Sequence, residues 1–258
     1  MTTELDDLRQ KLAQARNAVN TLVRTQVAQG LAAQFFAESQ PYKQQPELAA
    51  MLQDGSLHQS SFIQKPPHLL DFYRWLLSAM AAPRSVLEIG VKGGGSTALW
   101  KALFPAATVV GLDVKLRPSL AAEPSADGVV YLKGDQTDVA RLREVAAAHG
   151  PFDLVIDDGS HVTEHQETTI RALLPTVRPG GFYVVEDIHA SVKESEARDV
   201  SFGADIWADF TVAVLQKLRR AGFDRTSVGA KLALDLAPRI DELIIARQAL
   251  AIRAKARA

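Results

Sequence analysis

The sequence contains no cysteine. That removes disulfide frameworks, thiolate zinc sites, iron–sulfur clusters and cysteine nucleophiles together. It also lacks a surplus of either charge, with 29 Lys and Arg against 30 Asp and Glu. General nucleic-acid binding draws on Lys and Arg gathered against phosphates; with no basic block here, no nucleic-acid partner is expected. No run of about 20 apolar residues occurs, so no membrane span is expected. The opening stretch MTTELDDLRQKLAQARNAVN lacks the basic start and apolar run of a signal peptide, and a cytoplasmic protein is expected.

What is present is an ordinary globular composition, 47% hydrophobic and 23% charged over 258 residues. A folded chain of this size buries roughly 70–75% of the surface its unfolded form exposes, enough for one sizeable core without staples. In residues 4–36, Leu5, Leu8, Leu12, Ala15, Val19 and Leu22 recur at spacings of three and four, predicting a helix. Its short heptad stripe suits either a dimerising coiled coil or an amphipathic helix packed on its own domain. A homo-oligomer built through these N-terminal helices is therefore one reading. Polar, Pro-containing sequence from Ser39 to Pro67 reads as a connector. The expected division is an N-terminal helical extension and connector over 1–66, then a main domain over 67–258.

His68 to Ala82 reads as a helix stopped by Pro83. Beyond it, apolar runs of strand length alternate with helical stretches. The strands are Ser85–Ile89, Thr108–Leu112, Val129–Leu132, Leu154–Ile156 and Phe182–Val185; the helices are Ser96–Leu103, Asp138–His149 and His165–Thr176. Near-continuous apolar strands alternating with helices predict an α/β fold, a parallel sheet covered on both faces. Ala204–Ala221 reads as a further helix. The last 20 residues suit helix or hairpin, and the two apolar triplets Leu243–Ile245 and Leu250–Ile252 favour two strands closing the sheet.

The segment VLEIGVKGGGST places Glu88, Gly90, Gly93 and Gly94 between the first strand and the next helix, which opens at Ser96. Glycines there let the backbone turn sharply and approach a ligand, with helix-start N–H groups aimed at it. Lys92 stands where a dinucleotide fingerprint needs its second glycine, which argues against a nicotinamide or flavin dinucleotide. Acids then recur at strand ends: Asp113 comes 25 residues after Glu88, Asp135 another 22 on, and Asp157 a further 22. Each alone is an ordinary cap or turn residue. Together they point to the crevice outside the carboxyl ends of a parallel sheet, where Asp113 could accept ribose hydroxyls and Asp135 an adenine amino group.

FDLVIDDGSHVTEH and GGFYVVEDIHAS each end a strand in paired acids, Asp157-Asp158 and Glu186-Asp187. Packed carboxylates repel one another, and a hard divalent cation resolves that repulsion. An all-oxygen set such as Asp158, Glu186 and Asp187 suits Mg²⁺ better than zinc. His161, His165 and His189 lie beside these acids. His161, three residues after Asp158, is the natural candidate for a base near neutral pH, while His165 and His189 read more readily as caps or satisfied hydrogen-bonding groups.

The glycine loop and Asp113 resemble the first motif and the ribose-binding acid of the class I S-adenosylmethionine-dependent methyltransferases. That resemblance implies a Rossmann-like, mostly parallel seven-stranded sheet. It implies that Glu88 and the loop residues Gly90, Gly93, Gly94 and Ser96 hold the methionine end of S-adenosylmethionine, Asp113 the ribose, and Asp135 with Gln136 the adenine, Asp157 completing the cofactor set. In combination, VLEIGVKGGGS, IDDGSH, RPGG and VVEDIH are similar to a narrower group, the bacterial Mg-dependent O-methyltransferases of macrolide and related antibiotic sugars. By that resemblance Asp158, Glu186 and Asp187 bind Mg²⁺, His161 is the general base, and the acceptor is a small molecule or glycoside, methylated on a hydroxyl of a sugar or other vicinal diol in a natural product or glycan. A catechol-like O-methyltransferase and a noncatalytic S-adenosylmethionine-binding assembly protein are the competing readings.

Overall fold

A computed structural model describes residues 65–118, 120–121, 128–188, 203–219, 227–246 and 248–255, together with residues 10, 11 and 14. Of the helix expected over 4–36, Gln10, Lys11 and Gln14 are helical; the remainder lies outside the described residues, as does His189.

The described chain runs α1 (Pro67–Ser78), β1 (Ser85–Ile89), α2 (Gly95–Leu103), β2 (Thr108–Asp113), β3 (Val130–Lys133), α3 (Val139–His149), β4 (Phe152–Asp157), α4 (Thr163–Leu173) and β5 (Val177–Glu186). It continues through α5 (Gly203–Arg219), α6 (Val228–Leu236), β6 (Ile240–Ile245) and β7 (Ala249–Ala254). The seven strands form one sheet in the order β3-β2-β1-β4-β5-β7-β6. β1 to β5 are parallel, and β7 enters antiparallel against both β5 and β6. The Rossmann-like, mostly parallel sheet expected from the sequence is the one observed, including the terminal hairpin.

Strand alternation sorts the core into two layers. Val86, Val109, Leu154, Ile156, Phe182 and Val184 face α1 and α2, where Leu69, Tyr73, Leu76 and Trp100 are buried. Their neighbours Leu87, Val110, Val155, Tyr183 and Val185 face the opposite layer, built from α3, α4, α5 and α6 with Leu142, Ile170, Trp207, Phe210 and Leu232. Burial on both faces explains why these strands read as continuous apolar runs.

Local differences from the sequence reading have local causes. The helix expected over His68–Ala82 ends at Ser78, ahead of Pro83. That expected over His165–Thr176 begins at Thr163, and its last turn tightens into a 3₁₀ turn, Leu174–Thr176, with Pro175 in it. α6 is not among the helices expected from the sequence; Ser227 caps it, its hydroxyl accepting from the Ala230 N–H. α3 is capped in the same way by Asp138, which accepts from the Arg141 N–H. The sheet order reverses between β1 and β4, and their carboxyl ends open the crevice in which ligands of such sheets bind.

Candidate active site

Gly90 follows β1 at this reversal with φ +87°, and a Cβ there would lie 2.0 Å from the Asp158 carbonyl oxygen. The ends of β1 and β4 can approach this closely only around glycine. Four residues later the loop turns again at Gly94, φ +77°, and delivers α2. The Asp113 carboxylate braces the loop, accepting from the Val91 and Lys92 N–H groups at 2.8 Å and from the Lys115 N–H at 2.7 Å.

A cavity of about 520 Å³ opens above this loop. Gly90, Gly93, Ser96 and Asp113 line one part of it, and Asp158, His161 and Asp187 another. Ligand atoms of the last three residues all lie within 4.8 Å of one another. His161 and Asp187 carry φ of 59° and 52°, a left-handed conformation unusual for residues with a side chain and one that accumulates at functional sites. His161 Nε2 is 3.7 Å from Asp187 Oδ2. Its Nδ1 is buried without a hydrogen-bond partner among the described residues. The two carboxylates at this spacing suit a hard divalent cation, whose preferred ligands are oxygens, with the His161 imidazole beside them.

A second cavity of about 220 Å³ adjoins, lined by Leu112, Asp113, Asp135, Gln136 and His165 among others. Asp135 is exposed, and the Thr137 backbone N–H and hydroxyl, both at 2.8 Å, hold its carboxyl below the usual carboxylate range. Gln136 is fully engaged: its Nε2 donates to Asp157 Oδ1 and Thr169 Oγ1, while its Oε1 accepts from the Ser160 N–H at 2.7 Å. A Cβ on Gly159 would strike that same Oε1 at 2.1 Å. His165 Nδ1 meets Ser160 Oγ at 2.8 Å.

Glu88, Asp157 and Glu186 line neither cavity; all three are buried in the sheet ends. Burial pushes the Asp157 carboxyl up to about 6 despite hydrogen bonds from the Gly159 N–H, the Tyr183 hydroxyl and Gln136. Glu88 is pushed up to about 7 by burial, against the opposing pull of Lys65. Its Oε2 accepts from the Trp100 indole N–H at 3.2 Å. Glu186 is pushed up to about 8 by burial and by Asp158, again against Lys65. The Tyr73 hydroxyl donates to it.

The sequence reading missed Lys65, which falls in its connector. The Lys65 side chain is buried, with Nζ 2.6 Å from Glu186 Oε1, 3.0 Å from Asp158 Oδ2 and 3.5 Å from Glu88 Oε1. Burial disfavours its ammonium, but Asp158, Glu186 and Glu88 outweigh that and hold its pKa well above the ordinary lysine value. The structure therefore gathers Asp158, His161 and Asp187 at the cavity wall, while Glu186 is paired with Lys65 and Tyr73. A buried Tyr hydroxyl and Trp N–H need acceptors, which is one sequence signal for carboxylates under α1 and α2.

Residues 87–188 match a family profile described as a methyltransferase domain. Over 113 residues the chain is 46% identical to 8-demethyl-8-(2-methoxy-alpha-L-rhamnosyl)-tetracenomycin-C 3'-O-methyltransferase of Streptomyces olivaceus, covering 41% of this chain and 28% of that protein. Over 110 residues it is 49% identical to demethylmacrocin O-methyltransferase of Streptomyces fradiae, covering 40% of this chain and 27% of the relative. It thus spans under a third of the length of these relatives. The MycE methyltransferase from the mycinamycin biosynthetic pathway, solved with Mg and SAH, superposes with TM-score 0.61 at 25% identity, covering 80% of this chain and 54% of that one. The sheet, the glycine loop and these likenesses agree: the chain has the class I methyltransferase fold, and within it residues 87–188 match the methyltransferase-domain profile and are similar in sequence to these O-methyltransferases.

Proposed function

We propose that the chain transfers the methyl group of S-adenosylmethionine to a hydroxyl of a sugar in a glycoside of the antibiotic type. The observation that carries this reading is one cavity shared by the glycine loop, Asp113, Asp158, His161 and Asp187. Donor and acceptor then meet at the carboxyl ends of β1, β4 and β5.

In this reading the Gly90–Ser96 loop holds the methionine end of the donor, with Glu88 buried beneath it and bracing it through the Ser96 hydroxyl instead of touching the donor; Asp113 takes the ribose hydroxyls, and Asp135 and Gln136 border the adenine. Asp157 supports that wall through Gln136 instead of touching the cofactor. His161 receives the proton of the acceptor hydroxyl. The oxygen attacks the methyl carbon in line with the sulfonium, the carbon–sulfur bond breaks with its electron pair left on sulfur, and a methyl ether and S-adenosylhomocysteine result. Most of the acceleration then comes from holding oxygen, methyl and sulfur in line.

Asp158 and Asp187, joined by Glu186, would hold a divalent cation such as Mg²⁺. Once bound, such an ion supplies positive charge that orients adjacent acceptor hydroxyls and eases loss of a proton. The MycE likeness, whose structure contains Mg and SAH, supports this assignment.

The test is methyl transfer from labelled S-adenosylmethionine to a panel of rhamnosyl and related glycosides. His161→Ala is expected to slow transfer about 10²- to 10⁴-fold, the ordinary range for a general base, with S-adenosylhomocysteine affinity unchanged. Chelation is expected to abolish transfer. Full activity after both treatments would defeat the catalytic assignment.

A further inference from the structure

The Lys65 ammonium sits against carboxylates from the ends of three neighbouring strands: Glu88 of β1, Asp158 after β4 and Glu186 of β5. Its other side faces the Tyr73 and Trp100 rings, with Nζ 5.7 and 6.0 Å from their centroids. Such a buried, fully partnered cation is fixed in place, unlike a surface lysine free to swing away. Two of its three partners, Asp158 and Glu186, are also carboxylates assigned above to the divalent cation. Asp187 and His161, which cluster with Asp158, line the same cavity as Asp158 and Lys65.

We propose that Lys65 is a positioning residue that acts as a built-in counter-ion, competing with the divalent cation for Asp158 and Glu186 and so holding its affinity down. This rests on the assignment of a divalent cation to the site. Like charges a few ångströms apart inside a protein repel strongly, because little water screens them. An ammonium fixed against two of the ligands therefore weakens binding of the ion. The same ammonium keeps the three acids together in a folded chain that has bound no ion, where bare carboxylates would drive the strand ends apart. Lys65 and the divalent ion thus do one electrostatic job in alternation, and Glu186 changes partner between them.

A ligand-support role and a competitor role predict opposite signs. With Mn²⁺ alone as the probe, followed by electron paramagnetic resonance of the free ion on the 258-residue chain, Lys65→Met is expected to bind at least tenfold more tightly than the unaltered protein. Lys65→Gln, which removes the charge but keeps a hydrogen-bond donor, is expected to do the same and carries the test should the methionine variant fail to fold. Lys65→Arg keeps the charge and should bind Mn²⁺ like the unaltered chain. Unchanged or weaker Mn²⁺ binding in folded Lys65→Met or Lys65→Gln, alongside measurable binding by the unaltered chain, overturns the competition while sparing the metal assignment. No Mn²⁺ binding by any variant at millimolar ion overturns both.

Discussion

Glu88 offers a pH-dependent test of how the sheet ends are stabilised. It is fully buried, and its carboxyl is pushed from the ordinary 4.5 to about 7. Burial is the main cause; the Asp158 charge adds to it, while Lys65 and the Ser96 hydroxyl oppose it. In the unfolded chain this group ionises near its ordinary value, whereas the folded protein keeps the proton until near neutrality. The folded state therefore binds the proton more tightly, and its stability falls as pH rises through the interval between the two values. At about 1.4 kcal/mol per pKa unit, ionising Glu88 costs the folded state roughly 3 kcal/mol by pH 8. Glu88→Gln mimics the protonated side chain, since the amide oxygen still accepts from Trp100 and Lys65 keeps Glu186 and Asp158. Relative to the unaltered protein, the variant is expected to gain roughly 2–3 kcal/mol of stability between pH 5 and pH 8. Urea unfolding of both proteins at intervals across that range measures the difference, in which the upward shifts of Asp157 and Glu186 are common to both. Stability curves that stay parallel from pH 5 to pH 8 refute the reasoning.

Two further substitutions probe the glycine loop. Gly90→Ala forces a Cβ to within 2.0 Å of the Asp158 carbonyl oxygen at φ +87°. The variant is expected to lose about 1–3 kcal/mol of stability and at least tenfold in S-adenosylhomocysteine affinity; an unchanged unfolding midpoint and unchanged calorimetric affinity contradict the assignment. Asp113→Asn replaces a charged acceptor of three backbone N–H groups by a neutral one. Charged acceptors are worth about 1 kcal/mol more per bond than neutral ones, so a loosened loop and roughly tenfold weaker S-adenosylhomocysteine binding are expected. Affinity equal to that of the unaltered chain means the brace does not shape the cofactor site.

The sheet was legible because its strands are buried on both faces. Val86, Leu87, Val109 and Val110 leave no polar gap for a helical period to exploit, and glycine loops or caps such as Asp138 mark the borders. The class I fold followed from the order of those runs and from the acids at their ends. α6 was harder, because VGAKLALDL is short and its helical state depends on the Ser227 cap and on packing of Gly229 against the Ile206 carbonyl and Phe210 N of α5. Lys65 was illegible for a different reason. Its partners Asp158 and Glu186 lie 93 and 121 residues further along the chain, and no local pattern encodes such a contact.

Strand parity nevertheless carried part of that answer. Side chains alternate across a strand, so Glu88 belongs to the face of Val86, and Glu186 to that of Val184, both in the layer covered by α1 and α2. Asp157 shares the face of Val155, under the other layer, and there it finds Gln136 and Tyr183. β4 stands between β1 and β5 and contributes no buried carboxylate to the α1 side, so Glu88 and Glu186 face that layer from strands two apart. Two acids buried under apolar helices require a cation or a proton, because isolated buried charge is prohibitively costly. The covering helices carry Tyr73 and Trp100 at this place, polar at one atom each and neutral. A protein cation for them can therefore come only from an element entering at the edge of that layer, and the chain immediately before α1 delivers one, at Lys65, beside the proton that burial holds on Glu88 up to near neutrality.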